Sequence, residues 1–190
     1  LGEMCPQDGV DHLLYAIEHV VKVIGREDTT FVLMGGGPAL LEMRQLSHDL
    51  CLDDWVALTG RVSDCDLCRY LSTADICFDP DPYTEWANQS TMNKIMEYMA
   101  FGKPIVAFDL KESRFSAQQA AVYAKPNDAQ EFARLIDELL SDESRRKMMG
   151  HFGRRRVEER LSWQYSAPVL LRAYARLFGA EQSGTLVHID

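Results

Sequence analysis

Long hydrophobic runs are missing from this 190-residue chain, and no apolar stretch approaches the ~20 residues that a membrane-crossing helix needs. The first residues also lack the basic cluster and apolar segment of a secretory signal, so the domain is expected in the cytoplasm. Cysteine is scarce and odd in number: five, at positions 5, 51, 65, 68 and 77, too few and too irregular for a disulfide framework. Cys65 and Cys68 form a C-x-x-C, but no second Cys or His pair completes a tetrahedral zinc site, and incidental placement on a helix is the simpler account. The histidines at 12, 19, 48, 151 and 188 show no ligand spacing, and no carboxylate cluster suggests a metal. Positive charge is in deficit as well. Twenty Lys and Arg stand against 29 Asp and Glu, and the net charge of −9 argues against nucleic acid and anionic membrane surfaces as partners. Arg154, Arg155, Arg156 and Arg160 interleave with Glu158 and Glu159, the pattern of a solvated helix face.

What the chain does have is a regular alternation of two periodicities. Val10, Leu13, Leu14, Ile17, Val20, Val21 and Ile24 recur at three and four residues and predict a helix between Gly9 and Gly25. Residues 29–34 are a short β-branched and apolar run that stops at three glycines, the mark of a buried parallel strand. The rhythm repeats, with predicted helices at 38–50, 64–73, 90–101, 128–140, 144–159 and 162–178 and strands at 55–59, 75–78, 104–108 and 121–124. Parallel neighbours need crossovers, and crossovers pack on the sheet. The predicted fold is therefore α/β: a Rossmann-like parallel sheet of about five or six strands with helices on both faces. One domain is expected over residues 1–178, with 179–190 a disordered tail. Ligands of such sheets bind beyond the carboxyl ends of the strands, which singles out the loops at 35–38, 60–63, 80–89 and 109–114.

Gly35-Gly36-Gly37-Pro38 joins a strand to a helix, where free backbone N–H groups attract phosphate. The dinucleotide fingerprint fails, because Leu40 stands where its third glycine belongs and no acid closes the next strand. No Gly-Lys-Ser/Thr follows, which excludes a P-loop. A tight turn serving connection alone remains open. The 90–101 helix carries an apolar face of Met92, Ile95, Met96 and Met99 opposite a polar stripe of Ser90, Asn93, Lys94 and Glu97. By itself that stripe reads equally well as a solvated face with an intrahelical Lys94–Glu97 pair.

The run from Lys94 to Val106, K-I-M-E-Y-M-A-F-G-K-P-I-V, resembles a signature of the large family of retaining glycosyltransferases with two Rossmann-like domains, often called family 4. The resemblance extends to the G-x-G-P turn at Gly35 to Pro38, L-T-G-R-V at Leu58 to Val62, Y-L-S-T-A-D-I at Tyr70 to Ile76 and the S-W at Ser162-Trp163. It covers about residues 2 to 178 in the expected order. It implies the donor-binding, C-terminal half of such an enzyme, with a UDP- or GDP-sugar as substrate, no further cofactor and no metal. Glu97 matches the Glu that receives the ribose hydroxyls, Arg61 and Val62 lie in the loop beside the nucleobase, and Ser90, Thr91 and Asn93 open the helix that cradles the diphosphate. The acceptor-binding N-terminal domain of the same polypeptide would be the partner. It would also supply any peripheral contact with a membrane, and the final helix would pack on it or, left bare, drive self-association.

Two departures bear on catalysis. Gln89 occupies the place, eight residues before Glu97, of a Glu that touches the donor sugar. The family's G-R-x-x-x-x-K-G segment is here Gly2-Glu3-Met4-Cys5-Pro6-Gln7-Asp8-Gly9, with acids in place of both cations that neutralise the leaving diphosphate. Lys94 is the replacement expected from the polar stripe, with Arg61 and Arg114 behind it. Two readings follow: the donor half of a glycosyltransferase that is inactive in isolation, or a nucleotide-sugar-binding module of the same fold without chemistry. An epimerase of the same fold is disfavoured, because no carboxylate and His group stands out at the cleft loops.

Overall fold

The computed structural model describes residues 1–178; the expected disordered tail at 179–190 lies outside the described residues. The described residues form five strands and eight α-helices: α1 (Val10–Glu18), β1 (Phe31–Met34), α2 (Leu40–Asp49), β2 (Val56–Gly60), α3 (Asp64–Thr73), β3 (Cys77–Asp79), α4 (Asn93–Ala100), β4 (Ile105–Phe108), α5 (Lys111–Ala117), β5 (Ala121–Ala124), α6 (Ala129–Ser141), α7 (Glu143–Arg156) and α8 (Trp163–Leu177). α1 runs on into a wider π-type segment, His19–Ile24, which Gly25 ends in the left-handed region at φ 87°.

All strand pairs are parallel, as the alternation requires, but they form two ladders instead of one sheet. β1 pairs with β2, and β3, β4 and β5 pair in that order. β4 shows why both faces are covered. Val106 and Phe108 enter one core with Leu14, Ile17, Phe31, Leu33, Phe132 and Ile136, supplied by α1, β1 and α6. Ile105 and Ala107 point the other way, into a second core with Leu71, Ile95, Tyr98 and Met99, supplied by α3 and α4. Phe108 and Phe132 meet edge-to-face at 5.0 Å, a geometry that aromatic pairs favour.

Two expectations are corrected. The helix predicted from Ser90 begins at Asn93, because Ser90 and Met92 are extended and a 3₁₀ turn, Ala87–Gln89, precedes them. The loop at 109–114 is largely helical: α5 starts at Lys111, and its buried face is made of Ser113, Ser116 and Ala117, which leave no apolar stripe to read. α8 packs into neither core, as expected of a final helix left bare by this domain. It buries no residue, and Trp163, Leu171, Leu177 and Phe178 are 61–79% exposed.

α7 reaches the second core through a backbone contact. A Cβ on Gly150 would run into the carbonyl oxygen of Gly102, the left-handed residue (φ 65°) just past the end of α4. Gly150→Ala is therefore expected to destabilise the domain by about 1–3 kcal/mol, the usual cost of overpacking, measured as a lower urea midpoint.

Candidate nucleotide-sugar site

The carboxyl ends of β1 and β2 share one rim, and Leu1, at the start of the segment beside it, donates to the Tyr98 hydroxyl of α4. β1 leads into the glycine turn, where Gly35 donates to the Gly60 carbonyl at the end of β2 (3.0 Å), which makes Gly35, Gly36 and Gly37 neighbours of Arg61 and Val62. Gly35 and Gly37 take φ of 149° and 145°, and a Cβ on either would strike the backbone of Gly2 or Met4, so the turn needs glycine for packing as well as for conformation. The N–H groups of Gly36 and Gly37 have no hydrogen-bond partner among the described residues, and Gly37 is exposed. Arg61 is exposed and likewise unpaired.

Glu97 is exposed on α4 and makes no hydrogen bond or ion pair among the described residues. The next residue on α4, Tyr98, accepts from the Leu1 nitrogen (3.1 Å), beside Gly2, which donates to the Met34 carbonyl immediately before the glycine turn. The carboxylate thus stands free at the surface of α4, the helix that contacts the segment beside the glycine turn, with both oxygens open to a vicinal diol.

Its companions are arranged differently. Lys94 does not share the open stripe and does not pair with Glu97. Its side chain is 15% exposed, and Nζ lies 2.6 Å from Asp81 Oδ1 and 3.3 Å from Asp79 Oδ1, the first contact a hydrogen bond and the second a charge contact without hydrogen-bond geometry. Asp79 Oδ2 accepts from Ser113 Oγ at 3.1 Å. One cation cannot satisfy two buried carboxylates, so burial first and Asp79 second push the Asp81 carboxyl up to about 7, while the two carboxylates hold Lys94 above its ordinary value against its own burial. The expectation that Lys94 lies beside Glu97, free for a diphosphate, is corrected to a buried ion cluster.

The approach to α4 is also tied down. Ser90 Oγ donates to the Trp86 carbonyl (2.7 Å) and Thr91 Oγ1 to Glu112 (3.0 Å), so neither hydroxyl caps the helix. Asn93 and Gln89 are exposed, with side chains unpaired among the described residues. Arg114 is a bidentate partner of Asp109 and lies 4.4 Å from the Tyr123 ring centroid, which removes it as a free cation. Glu3 is exposed, and Asp8 accepts from the Cys5 N–H at 2.8 Å. Among the described residues no group of His, Cys, Asp or Glu has the arrangement of a metal site. A cavity of about 490 Å³ runs between β1 and β3 up to Gly2 and Met4 beside the glycine turn, and Lys94 and Tyr98 reach it.

Sequence reasoning missed Asp79, Asp81 and Ser113. An Asp-Pro-Asp-Pro stretch reads as a surface turn, and the only signal otherwise was its position at the end of a buried strand.

A rise in the carboxyl pKa of Asp81 on folding has a defined consequence. The folded state holds that proton over a range where the unfolded chain has released it, so this group's contribution to stability falls as pH rises from about 4 to 7 and is level above. Urea midpoints measured across that range are expected to show a downward component in the parent chain that Asp81→Asn lacks.

The fold has counterparts of known kind. A family model for group 1 glycosyl transferases matches residues 1–142. This chain belongs to that family. The group 1 domain is 27% identical over 175 residues to the GDP-mannose-dependent alpha-(1-6)-phosphatidylinositol monomannoside mannosyltransferase of Mycobacterium tuberculosis, with 90% of the chain and 45% of the relative covered. It is 28% identical over 176 residues to the MMP alpha-(1->4)-mannosyltransferase of Mycolicibacterium hassiacum, covering 90% of the chain and 40% of the relative. Among solved structures, sucrose-phosphate synthase from Thermosynechococcus elongatus superposes with a TM-score of 0.79 at 23% identity, over 95% of this chain and 45% of that one. Anabaena HepE in complex with UDP-glucose gives 0.79 at 18% identity, over 92% and 48%. The group 1 domain therefore spans less than half the length of these relatives.

Proposed function

We propose that this domain holds the nucleoside diphosphate of a sugar donor at the rim of β1, β2 and α4, as the donor-binding half of a glycosyltransferase that retains anomeric configuration. The observation that carries the reading is Glu97: an exposed, unpaired carboxylate on α4, whose neighbour Tyr98 contacts the chain beside the glycine turn, free to accept from both hydroxyls of a ribose. Gly36 and Gly37 offer free N–H groups and Arg61 a free cation for the diphosphate, whose negative charge grows as the glycosidic bond breaks. Val62 borders the same loop, beside the base. Asn93, at the first turn of α4, and Gln89, before it, are placed for the sugar. The names of relatives point to two donors, GDP-mannose for the mycobacterial mannosyltransferase and UDP-glucose for HepE, and the nucleotide bound here is UDP or GDP.

Transfer would require the acceptor domain of the same polypeptide, and the bare apolar side of α8 suits a contact with it. A second reading is favoured by one observation. The cation expected to meet the diphosphate, Lys94, is already matched by Asp79 and Asp81, while Glu3 and Asp8 add further negative charge. In that reading the domain binds a nucleotide-sugar without catalysing transfer. Titration with UDP, GDP and ADP, followed by backbone amide shifts, tests the site itself. Shifts at 35–37, 60–62 and 93–97 support it, and unperturbed amides there with saturating UDP and GDP would refute it.

A further inference from the structure

The Cys65-x-x-Cys68 motif has no part in the nucleotide reading, yet along the chain it directly follows Arg61 and Val62. Both cysteines stand in the first two turns of α3, and both are exposed. Leu71 is the one residue that α3 buries, with Leu67 half-buried against the second core, so the thiols stay in solvent. Among the described residues neither sulfur makes a hydrogen bond, and no third ligand completes a metal site with them.

The other three thiols are placed differently. Cys77 is buried in β3, and burial pushes its thiol up to about 12. Cys5 is half-buried, its thiol pushed up by burial first and then by Glu3 and Asp8. Cys51 is exposed but solitary, its Sγ 4.0 Å from the Asp49 carbonyl oxygen. A thiol must be reached by its reagent and ionise to exchange, which favours the exposed ones. Of those, only Cys65 and Cys68 have a second thiol on the adjoining helical turn.

Side chains three apart on an α-helix are about 5–6 Å apart at Cβ, whereas a disulfide needs about 3.5–4.5 Å, so joining the sulfurs draws the turn in by roughly 1–2 Å. A 3₁₀ turn supplies that contraction, because its side chains at i and i+3 eclipse. Helix ends yield to it more readily than helix interiors. The start of α3 is held by Ser63, whose Oγ accepts from the Asp66 N–H (3.2 Å) and donates to Asp66 Oδ2 (2.7 Å), and whose carbonyl accepts from the Leu67 N–H (2.9 Å). All three bonds fall on the turn that closure contracts. Leu67 and Leu71 fix the helix to the core, so the displacement passes to Ser63 and through it to Val62 and Arg61.

We propose that Cys65 and Cys68 are a covalent modification site, a dithiol that small disulfides of the glutathione class oxidise reversibly, and that closure reshapes the 61–63 loop. One cysteine thiolate attacks the small disulfide, forming a mixed disulfide and releasing one small thiol; the other cysteine then displaces the second. Two electrons pass from the pair to the small disulfide, and the two cysteine protons end on the two released thiols. Closure itself is independent of nucleotide binding. Its bearing on the rim rests on that reading, in which Arg61 is the cation offered to the diphosphate.

Excess oxidised glutathione, added without nucleotide to the chain carrying Cys51→Ser, tests the site. After digestion without reductant, the peptide 62–69, cut out at Arg61 and Arg69, is expected to be two hydrogens lighter and free of glutathione, and dithiothreitol is expected to restore it. Cys65→Ser and Cys68→Ser, each added singly, are expected to keep one glutathione on the remaining cysteine of that peptide. Recovery of the free dithiol, of glutathione held on both cysteines, or of a disulfide between two chains would overturn the closure, and single variants that take up no glutathione would overturn the exchange step. The amides of Arg61 and Val62 are expected to shift in the closed chain and not in the mixed disulfides, which add bulk without contraction. Unmoved amides on closure, or the same shifts in the mixed disulfides, would sink the link to the loop. Failure here leaves the Glu97 site standing, since no nucleotide is present in the experiment.

Discussion

Lys94→Met is expected to lower the unfolding free energy by about 3–5 kcal/mol, the cost of leaving a buried charge without its partner, seen as a shift of the urea midpoint at neutral pH. The reason is the geometry of its neighbours. Asp79 and Asp81 are 1% and 3% exposed at the side chain, and Lys94 is the one cation within ion-pair distance of either among the described residues. Asp81 can shed part of the penalty by keeping its proton, whereas Asp79 is left with the Ser113 hydroxyl. Adding Asp79→Asn and Asp81→Asn to Lys94→Met is expected to restore most of the loss, because replacing a whole buried ion cluster is commonly near neutral where breaking it is not. If the single variant unfolds at the parent midpoint, the cluster is not structural, and the lysine is released for the diphosphate after all.

Glu97→Ala is expected to behave in the opposite way, leaving stability within about 0.5 kcal/mol while weakening UDP or GDP binding roughly 10- to 150-fold. The side chain is exposed and unpaired, so nothing in the fold depends on it. Hydrogen bonds to a charged acceptor are worth about 1.5–3 kcal/mol, which sets the affinity range. Glu97→Gln, which keeps an oxygen acceptor but not the charge, should fall between. Calorimetric titration of the domain against both nucleotides, beside urea unfolding of each variant, separates the two readouts. Unchanged affinity for both nucleotides in Glu97→Ala would remove the residue from the site.

The contrast between these residues shows what the sequence could and could not convey. Periodicity placed α3 and β5 at their observed bounds and every other predicted strand and helix within a few residues, because apolar spacing reports directly on which side of an element meets a core. It was blind to α5, whose buried side is Ser113, Ser116 and Ala117 and carries no apolar spacing. The same helical wheel put Lys94 and Glu97 on one stripe. A wheel gives the angle at which a side chain leaves the helix and not what stands opposite, and four methylenes let Lys94 reach Asp79 and Asp81 while Glu97 stays in solvent. Strand count was legible too, but not the break between β1 and β3, since hydrogen-bond pairing across a sheet leaves no mark in either strand's own residues.

α8 adds length without adding cohesion. It buries no side chain, Tyr165 donates to the Glu158 carbonyl just before it, Tyr174 stacks on Phe178 within it, and Pro168 deprives its interior of one backbone hydrogen bond. Such a segment opens at a small fraction of the free energy that guards the two cores. Thermal denaturation of the isolated chain is therefore a sum of two events, and a single melting temperature would describe neither.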